Sequence, residues 1–298
     1  MRTVVFGNNG FVGSNIRSMF PDETFKPSSG ICNLTNLDSV INYLDTTRPK
    51  YIVNMAAFVA GFLYNKDHNL VQLRENALIA LNTAYAIQKL KLDCYYIYIS
   101  SACVYGKDEN TEKDIFASDP NVNNYGYGWS KRLGHVALES LRLDNKNDVK
   151  TCVLIPTNMY GPHDNFEPKM SHVIPNLIRQ MVSDQEEINV LGNPYNERDF
   201  MYVEDLGFAI KHCLNNEIEG IYNVSTSESI SIKTLVETLV EITGYKGKIN
   251  FGEGSSETAN IRSLDNEELT NRLGLAKDAY TDLEEGLRRT VEWYKAGN

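Results

Sequence analysis

The sequence predicts an α/β fold: a doubly wound parallel sheet followed by a smaller C-terminal region. Three observations predict it. A short β-branched and aromatic strand, Thr3-Val4-Val5-Phe6, runs straight into a glycine-rich turn and a helical pattern through Phe20. Apolar runs and helical stretches then alternate as far as Ile155, and sustained alternation implies a parallel sheet with right-handed crossovers. Finally, 298 residues with 42% apolar side chains can fill one large α/β unit or two apposed domains.

In the turn Gly7-Asn8-Asn9-Gly10-Phe11-Val12-Gly13 each glycine has a distinct task. Gly7 permits the tight turn, Gly10 lets the backbone approach a pyrophosphate, and Gly13 lets the helix pack closely on the strand; the helix N-terminus faces the phosphates. GxxGxxG is a weak signal alone, and a βα turn without a ligand is the competing reading. Its place directly after the first strand favours a Rossmann-type dinucleotide site. A second strand is expected within Glu23-Thr24-Phe25-Lys26. An acid there would hold a ribose 2′-hydroxyl, whereas a base accepts a 2′-phosphate. The segment offers Lys26-Pro27-Ser28-Ser29 and no acid. This favours NADP over NAD, with a solvent-facing lysine as the other reading of Lys26.

Leu37 to Thr46 reads as a helix and Tyr51 to Asn54 as a strand, ending in the small residues Ala56 and Ala57, over which a cofactor can lie. Leu78, Leu81, Ala84 and Ile87 mark a long helix over Leu70 to Leu90, and the apolar run Tyr95 to Ile99 is expected as a buried strand. A helix carrying Tyr127 and Lys131 continues from Val136 to Leu143, and Val153 to Ile155 is strand, ending at Pro156-Thr157-Asn158. After Asn158 the alternation breaks. Tyr160 to Pro168 is loop by its Gly, Pro and Asx content, and Ser171 to Pro175 leads into a helix through Met181. Phe200 to Asn215 and Ile221 to Val224 are expected as late returns to the first domain. Ile232 to Thr243, Glu267 to Leu273 and Leu283 to Lys295 are expected as helices of the smaller region. The expected division is residues 1–160 with 201–225 for the dinucleotide-binding domain, and 161–200 with 226–298 for a region that closes over the substrate.

A net charge of -10 argues against a surface built to neutralise nucleic acid, while leaving room for a local basic pocket. No apolar run approaches the roughly 20 residues of a membrane span, and the first residues lack a signal peptide's apolar stretch. The cytoplasm is the expected compartment, with no membrane or nucleic-acid partner. Five scattered cysteines and five histidines without paired spacing predict no metal site.

The chemistry concentrates between Ser100 and Lys131. Ser100-Ser101-Ala102-Cys103-Val104-Tyr105-Gly106 lies at the C-terminal end of the Tyr95 strand. Tyr127 and Lys131 are spaced to stack on one helix face. A nearby ammonium and a positive nicotinamide ring both favour a phenolate, so Tyr127 is suited to exchange a proton with a ketone oxygen. Ser101 would hydrogen-bond that oxygen, and Lys131 would also tether the nicotinamide ribose. Tyr85 and Lys89 share the spacing but have no strand-end serine ahead of them, and read as helix surface.

With these motifs the chain resembles the extended short-chain dehydrogenase/reductases. Ala56-Ala57-Phe58-Val59-Ala60-Gly61, Asn76, Pro156-Thr157-Asn158-Met159-Tyr160-Gly161-Pro162-His163-Asp164-Asn165-Phe166 and Ser171-His172-Val173-Ile174-Pro175 resemble, more narrowly, the GDP-L-fucose synthases. The resemblance spans nearly the whole chain. It implies NADPH-dependent reduction at C4 of a GDP-linked 4-keto sugar, with 3,5-epimerisation, and a homodimer through the helices at Leu70 to Leu90 and Gly128 to Leu143. Ser101, Tyr127 and Lys131 become the reductase triad. Cys103 and His172 fall on the family's epimerase acid/base pair; read alone they would be a packed thiol and a helix-entry cap.

The resemblance also implies cofactor contacts from the turn (Gly7, Asn9, Gly10, Phe11, Val12, Gly13), from Lys26, Asn33 and Leu34, from Ala56 and Ala57, and from Pro156 and Asn158 beside Tyr127 and Lys131. It implies substrate contacts from Asn158, Asn165, His172 and Val173, and phosphate contacts from Arg198 and Arg262. Arg179 stands where the family has paired arginines, here Arg179-Gln180, with a surface arginine as the other reading. Gly106, Val59-Ala60-Gly61 and Glu167-Pro168-Lys169-Met170 also depart from the family pattern, all near the sugar. Three alternatives stay open: a C4-reductase without epimerisation acting on another GDP-4-keto sugar such as a heptose, for capsule or lipopolysaccharide; a 4,6-dehydratase or 4-epimerase, for which Ala102-Cys103 lacks the Asp-Glu pair of a dehydratase; and a non-catalytic NADP sensor, which has no use for a proton donor.

Overall fold

The computed structural model describes residues 2–106, 109–144, 148–252, 261–273 and 279–297. β1 (Thr3–Phe6) leads into α1 (Phe11–Ile16), followed by α2 (Leu37–Thr47), β2 (Tyr51–Asn54), α3 (Phe62–Asp67), α4 (Asn69–Lys89) and β3 (Tyr95–Ile99). Then come α5 (Tyr125–Leu143), β4 (Lys150–Pro156), β5 (Asn158–Tyr160), α6 (Val173–Val182), β6 (Glu187–Val190), β7 (Glu197–Arg198) and β8 (Phe200–Tyr202). The remainder is α7 (Val203–Asn216), β9 (Gly220–Val224), β10 (Ile230–Ser231), α8 (Ile232–Thr243), β11 (Lys248–Phe251), β12 (Ile261–Arg262), α9 (Glu267–Leu273) and α10 (Leu283–Lys295). Side chains that accept from the first-turn amides mark several helix starts: Asn36 takes Ser39 N, Ser231 takes Thr234 N, and Asp282 takes Glu284 N and Glu285 N.

The main sheet has the order β1-β2-β3-β4-β9, every pair parallel. The strand expected near Glu23 shrinks to one bridge, Phe25 to Val4. Pro21 and Pro27 flank it, and proline ends strand pairing because it has no N–H to donate. Phe25 bonds Thr3 O and Val5 N, whereas Phe6 O accepts from Met55 N. Phe25 and β2 therefore sit on opposite sides of β1. The chain reverses its winding there, and such a switch point at the strand C-termini is where open α/β sheets bind ligands.

Two cores cover the sheet. One packs Val40 and Leu44 of α2, Ile79 of α4 and Leu138 of α5 on one face. The other packs Ile16 of α1, Leu206 and Ile210 of α7 and Leu269 of α9 on the opposite face. A third core, in the smaller region, joins α6, α8 and α10 with β6 and β11. Helix α9 therefore packs on the sheet, whereas its sequence position had placed it in the smaller region; its fully buried Leu269 decides this. α7 packs on the sheet and β9 pairs with β4, whereas Phe200–Tyr202 ahead of them forms β8, paired with β5, with Phe200 and Tyr202 in the third core.

A clasp joins the two parts above the strand ends. The buried Asn76 amide accepts from Phe58 N at 2.9 Å and donates to Phe58 O at 3.0 Å, fixing the loop after β2. Gly61 N in turn donates to Met170 O at 2.7 Å. A Cβ on Gly61 would stand 2.2 Å from Ser171 O, so the approach needs glycine. Among the described residues no helix is long and apolar enough to cross a membrane.

Candidate active site

A cleft of about 1690 Å³ runs over the C-terminal ends of the strands, from the glycine turn to the smaller region. At the turn, Gly7 has φ 83°, and a Cβ there would meet Ala56 N at 2.6 Å. On Gly13 a Cβ would fall 2.3 Å from Gly7 O, the close helix-to-strand packing expected of it. Gly10 differs: a Cβ would meet only Gly7 O at 3.4 Å, so the space above it is open to the cleft. Asn8 beside it is buried, and its Oδ1 has no partner. The open space above Gly10 fits the close approach of a dinucleotide phosphate, while Asn8 Oδ1, an acceptor, calls for an O–H or N–H donor instead.

Asn9, Phe11 and Val12 line this end, with Asn33 and Leu34 opposite and Ala56, Ala57, Pro156 and Asn158 along the strand ends. Lys26 does not join the cleft wall. Its Nζ donates to Pro21 O at 3.4 Å, and the chain turns over the buried Pro27 to present Ser28 and Ser29 instead. The place expected to hold a base thus offers hydroxyls.

In the middle of the cleft stand Ser101, Cys103 and Tyr127. Ser101 caps the short turn Ala102–Val104, its Oγ accepting from Cys103 N at 3.2 Å. Tyr127 is 8% exposed on α5. Burial pushes its pKa above the ordinary tyrosine value and Cys103 adds to this, while a hydrogen bond from Ser101 opposes them. Lys131 lies beneath it, 2% exposed, with Nζ donating to Ile99 O at 2.8 Å and standing 5.7 Å from the Tyr127 ring centre. Burial pulls Lys131 down to about 7, against a smaller upward pull from Cys103. Tyr127 thus keeps its proton in the unloaded protein, and Lys131 titrates near neutral pH.

Residues that sequence reasoning passed over hold these groups in place. Arg132 is buried and donates to Val104 O at 2.8 Å and Ser118 O at 2.6 Å, fixing the chain that follows Cys103. His135, two turns after Tyr127, pairs its Nε2 with Ser100 Oγ at 2.6 Å. Burial, with Lys131 and Arg132 adding to it, drives His135 down to about 3, so it stays neutral. The sequence does contain a signal, because Lys131 and His135 repeat the helical spacing of Tyr127 and Lys131.

Toward the smaller region, His172 caps the N-terminus of α6 and lines the cleft with Asn165, Val173, Arg179 and Arg198. Its Nδ1 stands 3.9 Å from Oδ1 of the buried Asp164. Arg179 donates from a terminal nitrogen to Asn176 Oδ1 at 2.9 Å, and its buried Nε has no partner. Arg198 donates to Glu197 O at 2.6 Å. Strand register sets Arg262 beside Arg198, while the Arg262 side chain lies outside the described residues. Two predicted phosphate ligands therefore neighbour each other along the backbone.

A glycine cradle at a sheet switch point, with serine, tyrosine and lysine gathered at the strand ends, defines a nicotinamide-dinucleotide enzyme. The chain belongs to the NAD dependent epimerase/dehydratase family, whose model matches residues 3–225. It is 27% identical over 318 residues to a probable GDP-L-fucose synthase of Drosophila melanogaster, covering 98% of this chain and 97% of that protein. A solved GDP-6-OMe-4-keto-L-xylo-heptose reductase from C. jejuni superposes with a TM-score of 0.87 at 19% identity, covering 100% of this chain and 98% of that one. A GDP-L-fucose synthetase from Naegleria fowleri bound to NADP superposes with a TM-score of 0.85 at 21% identity, covering 99% and 93%.

Proposed function

We propose that this chain uses NADPH to reduce the C4 ketone of a GDP-linked 4-keto-6-deoxy sugar, and that Cys103 and His172 exchange the protons at C3 and C5. The observation that carries this is the meeting of Ser101, Cys103, Tyr127 and His172 on one cleft that runs from a dinucleotide cradle to Arg179 and Arg198. The names of the fucose synthase and heptose reductase relatives, and NADP in one of them, support the same reading.

Bound NADPH supplies the hydride. Tyr127, buried and still protonated, gives its proton to the ketone oxygen as the carbon is reduced, and Ser101 holds the same oxygen. The phenolate left behind is stabilised by Lys131, whose pKa near 7 rises again once an opposite charge stands beside it. Protons on carbons flanking a ketone are acidified because the electron pair passes to the oxygen as an enolate. Before C4 is reduced, while it is still a ketone, the sulfur of Cys103 and the ring of His172 remove and return them. Arg179, Arg198 and Arg262 hold the diphosphate.

Serving activated-sugar supply for capsule or lipopolysaccharide, the enzyme works in the cytoplasm as a homodimer. The outward faces of α4 and α5 support the dimer, with Leu81, Tyr85 and Val136 exposed. The division into residues 1–160 with 201–225 and 161–200 with 226–298 belongs to the same reading, apart from α9.

The test incubates the protein with NADPH and GDP-4-keto-6-deoxy-mannose in deuterated water. Deuterium at C3 and C5 of a reduced product supports both activities, whereas reduction without exchange confines the enzyme to C4, as in a heptose reductase. Tyr127→Phe should abolish hydride transfer while NADPH still binds, and full activity in that variant would sink the mechanism. Cys103→Ser should slow exchange far more than reduction; an equal loss of both would make Cys103 structural.

A further inference from the structure

Asp164 is a carboxylate that the proton-exchange scheme does not yet use. It lies in the loop between β5 and α6, and this loop is pinned from two directions. His163 and Phe166 pack on Trp293 of α10 with ring centres 4.8 and 5.9 Å apart, and Phe166 also stacks on Tyr294 at 4.5 Å. Asn15 of α1 donates to Pro162 O at 2.6 Å. The Asp164 side chain is only 4% exposed. Its Oδ1 accepts from Asn165 N at 2.7 Å, while Oδ2 is buried without a partner.

A buried carboxylate oxygen left unpaired carries a desolvation cost that nothing in the loop offsets. His172 Nδ1 is 3.9 Å from Asp164 Oδ1, beyond a hydrogen bond but within reach of a turn of the half-exposed ring. We infer that Asp164 is the positioning residue for His172. It holds the proton on Nδ1, leaves Nε2 toward the sugar, and stabilises the imidazolium while the ring carries a substrate proton. In that step the C–H bond beside the ketone breaks, an Nε2–H bond forms, and the electron pair passes to the enolate oxygen; delivery reverses these changes. The inference rests on the reading that His172 exchanges protons.

The competing role is a loop staple, since Asp164 also holds Asn165 N. Asp164→Asn separates the two: the amide oxygen keeps that bond, while the charge is lost. The experiment records nitrogen-15 histidine spectra of the whole protein above the histidine titration range. His172 should be the Nδ1–H tautomer in the parent protein and shift in Asp164→Asn toward Nε2–H, which unassisted imidazole prefers. Solvent deuterium exchange into the sugar should fall about ten- to a hundred-fold, the usual effect of losing an orienting partner. In a His172→Asn background the same change should add nothing.

A parent His172 already in the Nε2–H form, an unchanged tautomer in Asp164→Asn, or a further loss in the double variant would each overturn the inference. If the tautomer responds as expected but no sugar exchanges deuterium, the proton-exchange role of His172 fails while the hold of Asp164 on its ring stands. The two failures are thereby distinguished.

Discussion

Lys131 is buried where a charge is expensive, and this gives the protein a pH signature of its own. In the fold its pKa is about 7, against 10.5 when exposed. Below pH 7 both folded and unfolded chains hold the proton, so the full desolvation cost weighs on the folded state. Between 7 and 10.5 only the unfolded chain holds it, and stability therefore rises with pH across that window; above it there is no further gain. Lys131→Met should stabilise the unloaded protein most below pH 7 and flatten that rise, as read by urea unfolding at a series of pH values. A slope unchanged by the substitution would contradict the burial assignment. Ser101, Tyr127, Lys131, Cys103 and His172 were legible in the sequence because each lies in a short motif. Asp164 lies in a quoted motif too but drew no role there, because the role proposed for it comes from its buried side chain standing 3.9 Å from His172, which no spacing announces. Lys26 misled for a related reason: the buried Pro27, and not the charge, decides which side chains reach the cleft.

At the scale of elements, what could be read in advance was set by how many residues pair. β3 is five consecutive buried residues, and an apolar run of that length announces itself. The second strand is one bridged residue, too short to have a pattern. Helix α3, six residues long, fell in a stretch with no prior assignment. The Gly61 clasp was equally hidden, since a contact between Gly61 and Ser171 leaves no periodic trace. Its consequence is testable. Gly61→Ala places a methyl 2.2 Å from Ser171 O, so the backbone beside His172 must shift. Titration calorimetry should find NADPH affinity retained and affinity for the GDP-sugar reduced, because the glycine turn at the other end of the cleft is untouched. Equal losses for both ligands would point to general unfolding of the loop.

For the molecule as a whole, the chain crosses between its two parts more than once. β7 and β10 pair close to the smaller region, yet α7 and β9 between them belong to the sheet. β5 and β8 pair where the parts meet, with Asn158 opposite Phe200. Neither part can be cut out as a continuous segment, so calorimetry should record a single unfolding transition whose van't Hoff and calorimetric enthalpies agree. Two resolved transitions would show that the parts are energetically separate. The alternation of strands and helices made the sheet legible up to β4; the late return through β9 was expected, and the docking of α9 was not.

The position of β9 also matters while the chain is being made. Until Gly220–Val224 has left the ribosome, the edge of β4 from Cys152 to Pro156 has no neighbour on its outer side. An apolar strand edge left open is a template for pairing with other chains. Nascent chains that stall between residues 156 and 220 are therefore the ones most exposed to aggregation, and the ones a chaperone would have most reason to hold.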